Sequence, residues 1–143
     1  MYHSMKIAGL DRNLPLCPLN EKLQIGAFVM FGDAELTVAC AEELLKKADI
    51  ICEAFDDVEC KAMLVNLVLE KMPEKYLVAA SGMAGFGSAN TIQTRRISKR
   101  FYICGDGTSD VQSEGSLVAT RVMLCAAHQA HTVLRILTEQ FET

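Results

Sequence analysis

Positive charge is in short supply in this chain: 14 lysines and arginines stand against 18 aspartates and glutamates, a formal net charge of -4. A surface of that sign has no general attraction for a phosphate backbone, so nucleic acid is not expected as a partner. Paired cysteines are also lacking: the six stand at 17, 40, 52, 60, 104 and 125, with no C-x-x-C among them. They read as reduced thiols, several acting as small hydrophobes inside apolar runs, and the chain reads as cytoplasmic. No apolar run reaches the roughly 18 residues that span a bilayer, and no basic segment followed by an apolar stretch opens the chain, so neither a membrane span nor a leader is expected. Internal repeats and low-complexity segments are missing too.

What is present is material for a core. Half of the 143 residues are hydrophobic and 22% are charged, a balance that favours one folded domain over disorder. The first nineteen residues read as an irregular arm, because Asp11-Arg12-Asn13, Pro15 and Pro18 break any pattern. From Leu23 to Phe31 a β-branched and aromatic run predicts a strand that ends at Gly32-Asp33. Between Glu35 and Lys47 apolar residues recur at three and four positions, which predicts an amphipathic helix. Asp49 to Phe55 has the length of a short strand, and Val58 to Met72 the pattern of a helix with Met63, Leu64, Leu67 and Val68 inward, ending before Pro73. Tyr76 to Ala80 predicts another strand. Strands and helices in alternation build a parallel sheet through right-handed crossovers.

Beyond Ser81 the glycine-rich stretch Gly82 to Gly87 leads into two strand-like runs, Thr91 to Ile97 and Phe101 to Cys104, which predict a hairpin. A loop from Gly105 to Gly115 then precedes a long helix from Ser116 to Glu139, with Leu117, Val118, Met123, Leu124, Val133, Leu134 and Leu137 expected inside.

Several residues could carry chemistry. Asp56 follows a parallel strand at the end where open α/β sheets place their ligands, so its carboxylate could hold magnesium bound to phosphates; position alone favours the plainer use, Asp56 or Asp57 capping the helix that follows. The Gly82 to Gly87 stretch does not open a helix, so it reads as a turn, or else a close approach to a ligand, and not as a phosphate cradle. Cys125, His128 and His131 could line one side of the long helix as sulfur and nitrogen ligands, or stand as a buried cysteine beside two histidines. Arg95, Arg96, Lys99 and Arg100 form a basic cluster that reads as a solvated edge or as a seat for an acidic tail or phosphate.

Taken together, Asp49-Ile50-Ile51-Cys52-Glu53-Ala54-Phe55-Asp56, Lys61 to Val65, Lys75 to Gly85, Thr94 to Ile97, Phe101 to Asp106 and Cys125 to Ala130 resemble the ThiF-type sulfur-carrier adenylyltransferases, relatives of the ubiquitin-activating enzymes, over residues 20 to 143. The resemblance implies a partial Rossmann-like α/β domain over 20–143, mostly parallel, with a C-terminal β-hairpin and a long C-terminal helix. It implies ATP and magnesium as cofactors, a small ubiquitin-like sulfur carrier of thiamine biosynthesis as partner, and a homo-oligomer or a pairing with a full-length relative. It assigns magnesium to Asp56 and puts Val29 and Met30 close to adenine. With no paired cysteines, the zinc site of some relatives is not expected.

The family's opening strand, glycine-rich turn and helix have no counterpart here, nor do its ribose-binding acid and its asparagine, arginine and lysine positions. Those groups cradle the phosphates and neutralise charge in the transition state. The expectation is therefore a chain that does not adenylate alone. The alternatives are a non-catalytic module for dimerisation or carrier binding, or one part of a split adenylyltransferase.

Overall fold

The computed structural model describes residues 41–143 except Glu43, Leu44, Lys47 and Asp56. The predicted arm, the strand from Leu23 to Phe31 with Val29 and Met30, most of the helix from Glu35 to Lys47, and Asp56 itself lie outside the described residues. Ala41, Glu42 and Leu45 have helical backbone, within the helix the periodicity predicts. The chain divides into two compact units, 1–48 and 49–143. The second unit carries everything that follows.

Its order is β1 (Ile50–Cys52), α1 (Val58–Lys71), β2 (Tyr76–Ala80), β3 (Gln93–Arg96), β4 (Phe101–Gly105), α2 (Val111–Glu114) and α3 (Ala119–Leu137). The sheet runs β1-β2-β4-β3, with β1, β2 and β4 parallel and β3 antiparallel at the edge. The protein is thus α/β, and its described residues form a mixed four-stranded sheet. The predicted hairpin is β3 and β4, and its second strand sits inside the sheet because β2 pairs with it: Leu77 lies opposite Phe101 and Ala80 opposite Cys104. Strand β1 is shorter than the apolar run suggests and stops at Cys52.

Helix α1 starts where Asp57 accepts from the Cys60 N–H at 2.8 Å, a side-chain cap that satisfies one of the donors a helix start leaves open. Leu64, Leu67 and Val68 are buried on it, as expected, and it ends one residue short of Met72, ahead of Pro73. It packs against β2.

Helix α3 lies across all four strands. Val78, Ala80, Tyr102 and Cys104 from the sheet meet Cys125 and Ile136 from the helix in one apolar cluster, with Leu124 and Val133 packed against it. The inward face of α3 corrects the sequence reading. Met123 is 71% exposed, and Leu117, Leu134 and Leu137 are also exposed, while the buried residues are Arg121, Cys125, Gln129, Thr132 and Ile136. The polar ones are buried because each meets a partner. Gln129 donates to the Glu53 carbonyl at 2.7 Å, an oxygen just past the end of β1, and the Thr132 hydroxyl donates to the His128 carbonyl at 2.7 Å. The helix is also shorter than predicted, beginning at Ala119, because Leu117 is used in a bridge with Ala84.

The basic cluster is not simply solvated. Arg96 donates to the Ser98, Phe141 and Lys99 carbonyls and lies 5.6 Å from the Tyr102 ring centre. Arg100 donates to the Glu74 carbonyl and lies 5.0 Å from the Tyr76 ring centre. Both arginines tie the hairpin turn to neighbouring loops, and Tyr76 in turn stacks on Phe141 at 5.9 Å.

Candidate functional site

Three parallel strands end on one rim, and the loops after β2 and β4 meet there. After β2, the Ser81 and Gly82 carbonyls accept from Gly107 N at 3.0 Å and Asp106 N at 2.8 Å, both in the loop after β4. Ala84 N donates to the Ser109 hydroxyl at 3.1 Å, and Gly85 N to the Ser116 carbonyl at 2.9 Å. Gly82, with φ +78°, makes this lacing possible: a Cβ there would run into Asp106 Oδ1 and Gly107 N. The glycine here serves a turn packed against the chain's own loop after β4.

Asp106 is the knot of the rim. Its Oδ1 accepts from Thr108 N and Ser109 N at 2.8 Å each, and its Oδ2 from the Ser109 hydroxyl at 2.7 Å and Arg121 Nη2 at 2.5 Å. Burial alone would raise its pKa, but the Ser109 and Thr108 N–H groups, the Ser109 hydroxyl and the Arg121 charge outweigh it and hold the carboxyl at about 2. Arg121 also donates to the Ser88 carbonyl at 2.9 Å, and its buried Nε–H finds no partner among the described residues. The guanidinium stands between two hollows. One, of about 180 Å³, is lined by Gly85, Phe86, Gly87, Val118 and Leu124; the other, of about 280 Å³, by Thr91, Thr108, Ser109 and Glu114.

A second ion pair sits where β1 gives way to α1. Glu53 is fully buried, and its carboxylate accepts from Lys61 Nζ at 2.9 and 2.7 Å, from Phe55 N at 2.6 Å and from Ala80 N at 3.3 Å. Lys61 also donates to the Ala80 carbonyl at 2.9 Å, so one pair joins the ends of β1 and β2 to the first turn of α1.

Of the residues singled out by sequence, Asp56, Val29 and Met30 lie outside the described residues. Asp57 takes the capping role, and the Cys60 N–H it accepts holds its carboxyl below the ordinary value. Cys125, His128 and His131 are not brought together: Cys125 is buried and donates to the Cys104 carbonyl at 3.3 Å, His128 Nδ1 lies 3.0 Å from the Thr94 hydroxyl, and His131 is exposed. Burial, with the neighbouring Cys104 next, pushes the Cys125 thiol up to about 11, so it is no nucleophile at neutral pH.

Magnesium is bound through one or two carboxylates together with the phosphates of a nucleotide. The carboxylates of Glu53, Asp57, Asp106 and Asp110 are each engaged by protein donors. Sequence reasoning missed Glu53, Lys61, Asp106 and Arg121 as a set. The signal for two of them was a charge inside a largely apolar run, Glu53 between Cys52 and Phe55 and Arg121 between Val118 and Leu124.

The fold and its rim define an α/β protein whose polar loops gather at the C-terminal ends of three parallel strands. No protein-family model, no curated protein and no solved structure matches the chain.

Proposed function

We propose that these residues are the carrier-facing part of a ThiF-type sulfur-carrier adenylyltransferase, a partial Rossmann-like domain that binds a small ubiquitin-like sulfur carrier and does not adenylate it alone. One observation carries the reading. Three of the sequence blocks that resemble the family end on the same rim: Glu53 to Phe55 leading into Asp56, Ser81 to Gly85, and Gly105-Asp106. Open α/β sheets bind their ligands at that end of the strands. Within these residues the sequence offers no glycine cradle opening a helix, which supports a role in holding the carrier over one in activating ATP. In this reading ATP and magnesium act only where a full-length relative or a complementary chain supplies the phosphate loop, with Asp56 as the magnesium carboxylate.

Carrier-dependent exchange of pyrophosphate into ATP, measured beside carrier binding by calorimetry, tests this. The expected result is binding without exchange, and exchange that depends on Asp56 once a full-length relative is added. Exchange by these residues alone would overturn the missing-cradle argument. Failure to bind any small ubiquitin-like carrier would overturn the assignment.

A further inference from the structure

Helix α3 begins without a side-chain cap and without an acidic residue in its first turn. Arg121 N and Val122 N reach the Val118 carbonyl, so the Ala119 and Thr120 N–H groups are those a helix start leaves open. With 19 residues behind them they carry the positive end of a long helix dipole. Arg121 adds an independent reason to expect a guest. Its Nη1 is taken by the Ser88 carbonyl and its Nη2 by Asp106, yet the buried Nε–H finds no acceptor among the described residues. A buried donor in that condition is costly and uncommon. The residue is 5% exposed, and helical side chains lean toward the N-terminus of their helix, so the orphaned donor stands at the same end as the open amides.

Arg121 borders two hollows, and one of them suits an anion. The hollow of about 280 Å³ is walled by Asp106 and Glu114, whose carboxylates repel negative charge. In the hollow of about 180 Å³ Arg121 is the one ionisable wall residue; Thr120 brings a hydroxyl, and Phe86, Val118 and Leu124 bring apolar surface. Phe86 is 85% exposed, so its ring is available to a guest.

We propose that this hollow at the start of α3 binds a carboxylate carried on a short apolar stem. The oxygens accept from the Ala119 and Thr120 N–H groups and from Arg121 Nε–H, and the stem lies on Phe86, Val118 and Leu124. A cavity of about 150 Å³ holds a benzene-sized guest, which sets the scale of the stem. Phosphate suits the hollow less, because a dianion would meet one guanidinium already shared with Asp106 and an apolar wall that cannot replace its water. The carboxylate belongs either to a free acid or to the apolar C-terminal residue of a peptide.

NMR of the amide and arginine side-chain N–H groups of the full chain tests this, with isovalerate, isovaleramide and inorganic phosphate as probes. Neither ATP nor a carrier is present, so the outcome is independent of the functional assignment above. Isovalerate is expected to shift the Ala119 and Thr120 amides and Arg121 Nε–H saturably, and to bind more tightly than isovaleramide or phosphate. Thr120→Asp places a carboxylate in the first turn, where it favours the helix, and is expected to weaken isovalerate about tenfold or more with no loss of thermal stability, while the neutral Thr120→Asn keeps binding. The tripeptide Gly-Gly-Leu separates the two sources: tighter binding of the tripeptide assigns the hollow to a chain end, tighter binding of isovalerate to a free acid. No saturable shift with either acid, isovaleramide or phosphate binding as tightly as isovalerate, a Thr120→Asp chain that binds as its parent does, or a Thr120→Asn chain as weak as Thr120→Asp would overturn the proposal.

Discussion

Arg121 and Asp106 lie 2.5 Å apart, joining the first turn of α3 to the loop after β4. The carboxylate accepts from two backbone N–H groups as well, so the pair is a structural clamp in which Asp106 has little capacity left for a ligand. A group whose folded pKa is depressed adds stability above its unfolded value and loses it as pH falls toward the folded one. For Asp106 that window runs from 3.8 down to about 2. Chemical denaturation measured across it should show stability falling with pH in wild type, with a shallower fall in Asp106→Asn. Equal slopes in the two proteins would contradict the clamp.

Glu53 gives a second expectation. Removing one member of a buried ion pair leaves its partner's charge uncompensated and typically costs about 3 kcal/mol or more. Glu53→Ala strips Lys61 and the Phe55 and Ala80 N–H groups of their acceptor at once, and urea denaturation should register a loss of about 3 kcal/mol. A loss under about 1 kcal/mol would mean that water replaces the carboxylate.

Gly105 ends β4 with φ +134°, and a Cβ there would collide with the Ser81 carbonyl. Gly105→Ala meets both an unfavourable backbone region and a backbone wall, so it should destabilise by more than about 1 kcal/mol. Gly115, with φ +89° and open space around it, carries only the backbone part, and its alanine variant should lose less. Thermal melts of the two variants side by side check the order.

The local pattern of this chain was readable where one element sufficed to fix it. Leu64, Leu67 and Val68 mark the inner stripe of α1 by spacing alone, Pro73 marks its end, and Ser98 to Arg100 mark the hairpin turn. Reading failed where burial depends on a partner far along the chain. Apolar periodicity assigns Met123 and Leu134 to the core, yet Gln129 takes the inward position because the Glu53 carbonyl, 76 residues earlier, awaits a donor. Asp106 stands in a Gly-Asp-Gly run that signals only a turn, and its central place becomes visible once Arg121 is folded against it. The short helix α2 was missed for the related reason that its four residues carry too little periodicity to register.

The cross-links from Ser81, Gly82, Ala84 and Gly85 to Asp106, Gly107, Ser109 and Ser116 make the loops after β2 and β4 behave as a single body. Their amides should open to solvent together, in one step, and a guest arriving at this edge would meet a surface already set, with any hinge displaced to the segments outside the lacing.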